Sequence, residues 1–242
     1  MDMASMTTID SNEAAHFGTL AADWWNPKGS SAMLHKLNPV RLGFVRTAID
    51  AHWGLNAKAL RPLGSKTALD VGCGAGLMCE PLARLGADVT GVDAAPENIA
   101  VARAHSAGQG LSIRYECADV ATLSGQFDLV TSMEVVEHVT DPAAFIAALA
   151  ARLAPGGLMI LSTPNRTRLS RLGLITLGEG LGQIPKGTHN WDKFLTPEEL
   201  ELLARGAGLN VVARSGLSFS VGKGFILSED ETFNYLLALV AR

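Results

Sequence analysis

The chain is poor in the features that mark several large protein classes. Its 242 residues include three cysteines, Cys73, Cys79 and Cys117, with no spacing that points to a zinc site or a disulfide framework. Such usage fits a reducing cytosol. The first ten residues carry neither a basic stretch nor an apolar one, so no secretory signal is expected there. No run of about 18 apolar residues occurs, and nothing is expected to span a membrane. Positive charge is not in excess, since 20 Lys and Arg stand against 24 Asp and Glu for a net charge of −4. A general nucleic-acid binder usually carries a basic surface, so no nucleic acid is expected as a partner. Repeats and low-complexity tracts are missing too. What remains is 48% hydrophobic, enough for one substantial core with or without a small appendage.

The order of segments gives the fold class. Residues 1 to 12 are polar, and helices are predicted from about Ala14 to Trp24 and from Pro39 to Trp53. The following stretch alternates short β-branched runs with amphipathic helices, as a parallel α/β sheet does. Strands are read at Thr67–Val71, Asp88–Val92, Ile113–Cys117, Leu129–Ser132 and Leu158–Ser162, with two more near Asn210–Ala213 and Tyr235–Val240. A helix is expected after Asp141-Pro142, whose residues suit an N-cap and a first helical position. Its stripe is Phe145, Ile146, Leu149 and Leu153, and Pro155-Gly156-Gly157 stops it. After Pro164 the alternation lapses for about 30 residues, which reads as an insertion. Thr196 and Glu199 then form a capping-box pattern at the start of another helix.

The chemistry begins at Asp70-Val71-Gly72-Cys73-Gly74-Ala75-Gly76, between the first strand and a helix. Glycines there let the backbone turn tightly and approach a ligand, and the helix N-terminus offers free N–H groups. A dinucleotide enzyme would need a third glycine at 77 or 79, where this chain has Leu77 and Cys79. The acidic Asp70 suits a ligand with a cationic amino-acid end better than a pyrophosphate. Strand two ends in Asp93, about 20 residues on, where a carboxylate can accept both ribose hydroxyls. Strand three is followed by Asp119, placed to meet an adenine amino group. Together these strand ends give the pattern of class I S-adenosylmethionine-dependent methyltransferases over roughly residues 65 to 165.

Strand four runs into Met133-Glu134-Val135-Val136-Glu137-His138. If helical from Glu134, the side chains of Glu134, Glu137 and His138 fall on one face. Such a set would hold Mg²⁺ or Mn²⁺ rather than a structural zinc, and the ion would acidify a phenol or catechol hydroxyl. The alternative is a helix start with acids near the positive dipole end and His138 as a cap or substrate contact. His138 also suits a general base acting alone.

The flanks narrow the family. Phe17-Gly-Thr-Leu-Ala-Ala-Asp-Trp-Trp25, Leu34-His-Lys-Leu-Asn-Pro-Val-Arg-Leu42, Gly187-Thr-His-Asn-Trp-Asp-Lys-Phe194 and Pro197-Glu-Glu-Leu200 resemble the ubiquinone-biosynthesis O-methyltransferases over nearly the whole chain. One departure is Asn26, where the family more often has Asp before the proline. The resemblance implies a doubly wound, mostly parallel, seven-stranded Rossmann-like sheet with N-terminal helices and an inserted helical lid. It implies methylation of two polyprenyl precursors, 2-polyprenyl-6-hydroxyphenol and 3-demethylubiquinol. Carried over by motif, it places Arg41, Gly72, Asp93 and Met133 on the cofactor, with Gly74 and Asp119 beside them from the strand ends. It further implies a divalent ion, Mg²⁺ by preference, on Glu134, Glu137 and His138.

A polyprenyl acceptor sits in lipid, so a membrane-facing element is expected. Arg166, Arg168 and Arg171, followed by Leu172, Leu174, Ile175 and Leu177, suit an amphipathic segment at an anionic interface. The same residues suit a lid closing over the substrate, with Trp191 and His189, a reserve base. The expected organisation is a helical cap over residues 1–60, an S-adenosylmethionine-binding core over 61–164, a lid or membrane insertion over 165–195, and the rest of the core over 196–242. The expected location is the cytoplasm, peripheral to the inner membrane, with other quinone-biosynthesis proteins as candidate partners. Two alternatives stand beside this one: a class I methyltransferase of another small acceptor, and a non-catalytic cofactor-binding scaffold.

Overall fold

The computed structural model describes residues 7–29, 31–172 and 190–242. Eight strands form one sheet: β1 (Thr67–Val71), β2 (Asp88–Asp93), β3 (Arg114–Cys117), β4 (Phe127–Met133), β5 (Leu153–Pro164), β6 (Leu209–Ser220), β7 (Gly224–Ser228) and β8 (Asn234–Ala241). Their order is β3-β2-β1-β4-β5-β8-β6-β7, with the first five parallel and the last three antiparallel to their neighbours. The doubly wound, mostly parallel sheet is as expected. It has one strand more than the seven read from sequence, because β6 runs long and folds back as β7.

Side-chain alternation explains the layers. Along β5, Leu158 and Ile160 face one core while Met159 and Leu161 face the other, and β8 alternates in the same way. One face is covered by α2 (Ala32–Trp53), α3 (Cys79–Arg84) and α4 (Pro96–Gly108). The other is covered by α5 (Pro142–Ala151) and α7 (Pro197–Gly206). With both faces covered, the central strands read as continuous apolar runs rather than alternating ones.

Three local expectations change. The first helix, α1, spans Ser11–Thr19, with the Asp10 side chain accepting from Asn12 N, and a short turn at Ala21–Asp23 follows. The second begins at Ala32 and carries Pro39 inside it, so that proline does not mark its start. α5 ends at Ala151, and residues 155–157 belong to β5 instead of a stop. The caps were legible: Asp141 accepts from Ala144 N, and Thr196 forms a reciprocal box with Glu199. A single turn, α6 (Arg168–Ser170), begins the insertion. His189 and the apolar run of Leu174, Ile175 and Leu177 lie outside the described residues. Among the described residues no helix is long and apolar enough to cross a membrane.

Candidate active site

In this strand order the crossovers reverse direction between β1 and β4, and ligands of such sheets bind in the crevice at that switch point. A cavity of about 470 Å³ lies there, lined by Gly72 after β1, Asp93 at the end of β2, Asp119 after β3, and Met133 and Glu134 at the end of β4. The glycine turn is held open by its surroundings. Gly72 N and Cys73 N both donate to Val92 O, at 2.8 and 2.9 Å. Gly72 has φ of 71°, and a Cβ there would come within 2.3 Å of Val135. Gly74 has φ of 52° and lies under the Trp24 ring, which leaves no room for a side chain. Gly74 is thus a seat for the amino-terminal segment, behind the cavity wall and not on it.

The charges of the cavity point to one kind of ligand. Among the described residues its walls carry six carboxylates, from Asp10, Glu13, Asp70, Asp93, Asp119 and Glu134, against one guanidinium, Arg41. A pyrophosphate would be repelled there, whereas a sulfonium with an ammonium group is attracted. Asp70 is buried and pushed up to about 6 by that burial, although Thr131 Oγ1 donates to it at 2.6 Å. Asp93 is also raised by burial. Its Oδ1 accepts from Ala95 N and Asn98 Nδ2, and its Oδ2 accepts from Gly74 N at 2.8 Å. That leaves Oδ2 spare acceptor capacity.

Asp119 departs from expectation. Its two oxygens accept from Thr7 Oγ1, Thr8 N, Thr8 Oγ1 and Ala121 N, which fills the roughly four acceptor sites of a carboxylate. Burial would raise its pKa, but these bonds outweigh that and leave it lowered. Asp119 therefore staples the amino-terminal segment to the sheet edge and has nothing left for an adenine amino group.

The Glu134–His138 stretch is the largest correction. It is a turn, not a helix, and Glu134 sits at φ of 57°. Glu134 consequently leaves the expected face. Its carboxylate accepts from Ser162 Oγ at 2.7 Å and Asn234 Nδ2 at 2.8 Å, and pairs with Arg41 Nη2 at 3.0 Å. Glu137 is buried behind the cavity, with Thr163 Oγ1 donating to Oε2 and Oε1 left without a hydrogen bond. Burial pushes its pKa up. Among the described residues no three His, Cys, Asp or Glu side chains are arranged to hold a metal ion.

Arg41, expected on the cofactor, is brought to the cavity by α2. It lies 1% exposed on α2 and lines the cavity. Its contact with Glu134 is an ion pair out of hydrogen-bond alignment, so Nε and Nη2 retain unspent donors. His138 gained a partner that sequence spacing did not reveal. Glu13, 125 residues earlier on α1, meets His138 Nδ1 at 3.1 Å. Phe17 packs edge-on against the imidazole at 5.0 Å. Burial pulls the imidazole pKa down, but the Glu13 bond and the charges of Glu137, Glu13 and Glu134 outweigh it and leave it raised. The Glu13 carboxyl is lowered, first by its bond to His138.

Comparisons with known proteins supply the family. A family model described as a methyltransferase domain matches residues 49–214. A ubiquinone biosynthesis O-methyltransferase from Parvibaculum lavamentivorans is 43% identical over 240 residues, covering 97% of this chain and 95% of that one. Its counterpart from Cereibacter sphaeroides is 46% identical over 244 residues, covering 98% and 99%. Among solved structures, the magnesium protoporphyrin IX methyltransferase of Synechocystis with bound SAH has a TM-score of 0.59 at 21% identity, covering 93% of this chain and 100% of that one. A possible histamine N-methyltransferase of Thermotoga maritima has a TM-score of 0.60 at 16% identity, covering 95% and 100%. The chain belongs to the ubiquinone biosynthesis O-methyltransferases, a family of S-adenosylmethionine-dependent enzymes.

Proposed function

We propose that the chain methylates a phenolic oxygen of a polyprenyl quinone precursor, with 2-polyprenyl-6-hydroxyphenol and 3-demethylubiquinol as acceptors and His138 as the proton acceptor. The observation that carries this reading is a single cavity bounded by the Gly72 turn, six carboxylates and the Glu13–His138 pair. The relatives' shared name supplies the pathway.

S-Adenosylmethionine supplies an electrophilic methyl group on a sulfonium. Asp70 takes its ammonium, Arg41 its carboxylate through the unspent donors, and Asp93 Oδ2 a ribose hydroxyl. Gly72 and Met133 line the sulfonium end of the site, and Asp119 closes the adenine end by holding Thr7 and Thr8 in place. Glu13 favours the His138 tautomer with hydrogen on Nδ1, and Nε2, 3.9 Å from Glu137 Oε1, is assigned as the proton acceptor. His138 takes the phenol proton as the oxygen attacks, and Glu13 offsets the charge of the imidazolium.

A divalent ion fits less well. Glu134 is committed to Arg41, Ser162 and Asn234, which leaves Glu137 Oε1 and His138 Nε2, 3.9 Å apart, as donors. No step is assigned to Mg²⁺. Peripheral attachment to an anionic membrane is part of the proposal and rests on Leu169 and Leu172, 56% and 50% exposed, beside Arg168. Two neighbouring arginines are otherwise engaged, Arg166 with Glu199 and Arg171 over the Trp191 ring.

The test is transfer of label from methyl-labelled S-adenosylmethionine to a short-tailed prenyl catechol and a demethylquinol, with and without EDTA. Labelled methoxy product that persists in EDTA supports His138 acting unaided. Turnover lost in EDTA and restored by Mg²⁺ requires Glu134 to leave Arg41 and join an ion. No product on either acceptor refutes the reading and favours another acceptor or a cofactor-binding scaffold.

A further inference from the structure

One end of the cavity takes no part in the proton transfer or the cofactor contacts. Strand β6 runs beyond its last pair with β8, Leu217 opposite Asn234, and folds back through residues 221–223 into β7. In this hairpin Leu217 stands opposite Leu227 and Phe219 opposite Phe225. Directly opposed residues share a face, so these four side chains make one apolar face. The other face carries Ser218, Ser220 and Ile226. Because β6 runs parallel to β5, its carboxyl end projects past the same edge of the sheet as the glycine turn.

The apolar face belongs to the cavity. Leu217, Phe219 and Phe225 line it, joined by Phe233 from the loop before β8 and by Leu34 and Leu37 from α2. None of the six is charged, whereas the rest of the lining holds the carboxylates and, one turn beyond Leu37 on α2, Arg41. Phe219 and Phe225 pack edge-to-face at 5.4 Å. Phe219 is nevertheless 66% exposed and Phe233 37%. An aromatic surface that begins inside a cavity and ends in solvent marks a place where an apolar ligand leaves the protein.

We infer that the β6–β7 hairpin is the exit for the isoprenoid tail of the acceptor, with Phe219, Phe225 and Phe233 as the residues that select for a tail. This rests on the phenol-methylation reading above. An acceptor ring beside His138 must send its tail somewhere, and a path along the carboxylate walls would strip water from charges without replacing it. The aromatic wall has no such cost, and a tail laid on it covers rings that otherwise face water.

The experiment compares kcat/KM for a tailless catechol and for its geranyl- and farnesyl-substituted forms. It uses the wild type, Phe219→Ser, Phe233→Ser, the conservative Phe219→Leu, and Leu60→Ser as a control on an exposed leucine in the loop before β1. In the wild type kcat/KM rises with tail length. In Phe219→Ser the farnesyl substrate loses about tenfold more than the tailless one, mainly through KM. Phe219→Leu restores most of the difference, and Leu60→Ser leaves the ratio as in the wild type. Equal losses on both substrates, or a wild type indifferent to tail length, overturn the exit while leaving O-methylation intact. Reduced sedimentation with anionic vesicles at an unchanged tail dependence overturns it as well and makes the hairpin a membrane contact. No turnover on any catechol removes the underlying reading and the exit with it.

Discussion

The two ends of the cavity are built on opposite principles. At the cofactor end, short parallel strands β1–β4 deliver carboxylates and a glycine turn from one continuous stretch, residues 67–134. At the acceptor end, α1 and the β6–β7 hairpin come from the two termini to the turn that carries His138. The first end is charged and fixed by backbone bonds such as those of Gly72 and Cys73 to Val92 O. The second carries the aromatic face of the hairpin, and its Glu13–His138 pair is drawn from distant elements. A cofactor shared by many enzymes can be read by a local motif, while acceptor choice is assembled by the tertiary fold.

The contrast can be broken most forcefully at His138. His138→Ala is expected to lower kcat by about a hundred- to ten-thousandfold while S-adenosylhomocysteine binding, measured by calorimetry, stays within a few-fold. A parallel loss of cofactor affinity would show that the two ends are not separable. Asp70 tests the other end. Asp70→Asn is expected to weaken S-adenosylmethionine by at least about tenfold, because the ammonium loses its charged partner. In the wild type that affinity should fall as pH drops through about 6, where Asp70 takes up a proton.

The same carboxyl gives a stability signature of opposite sense. Its folded pKa of about 6 lies above the ordinary 3.8, so the ligand-free protein favours the protonated form and loses stability as pH rises from about 4 to about 6. Above that range Asp70→Asn should be more stable than the wild type, by up to about 3 kcal/mol in chemical denaturation. A variant equally stable at pH 4 and less stable at pH 8 would contradict the buried-charge account. The smallest effect is expected at the membrane-facing edge. Arg168→Gln should reduce sedimentation with anionic liposomes about two- to fivefold, since one surface cation contributes about 1 kcal/mol. Unchanged binding would assign Leu169 and Leu172 to a lid.

Much of this was legible in the sequence for a physical reason. Glycine spacing, the strand-end acids Asp93 and Asp119, and the caps at Asp141 and Thr196 are local devices, and each occurs where it was expected. Asp119 shows the limit: its position was readable, but the four donors that saturate it include three from Thr7 and Thr8, over 100 residues away. Periodicity misled at Glu134, whose i, i+3, i+4 spacing assumed a helix that a left-handed backbone conformation interrupts. Pro39 misled in the other sense, because packing of Phe44, Val45 and Ile49 on the sheet sustains α2 through it. Strand β7 is a local hairpin partner of β6 whose turn at residues 221–223 was not read, whereas Glu13 carries no local mark at all.

The central claim is that the amino-terminal helix completes the acceptor end by bringing Glu13 to His138. The pH dependence of kcat/KM for methyl transfer, compared between the wild type and Glu13→Gln, tests it most directly. Glu13 raises the His138 pKa, so its replacement should move the acid limb to lower pH and reduce the plateau about tenfold, with S-adenosylhomocysteine affinity kept. An acid limb that stays where it is, at an unchanged plateau, would contradict the account.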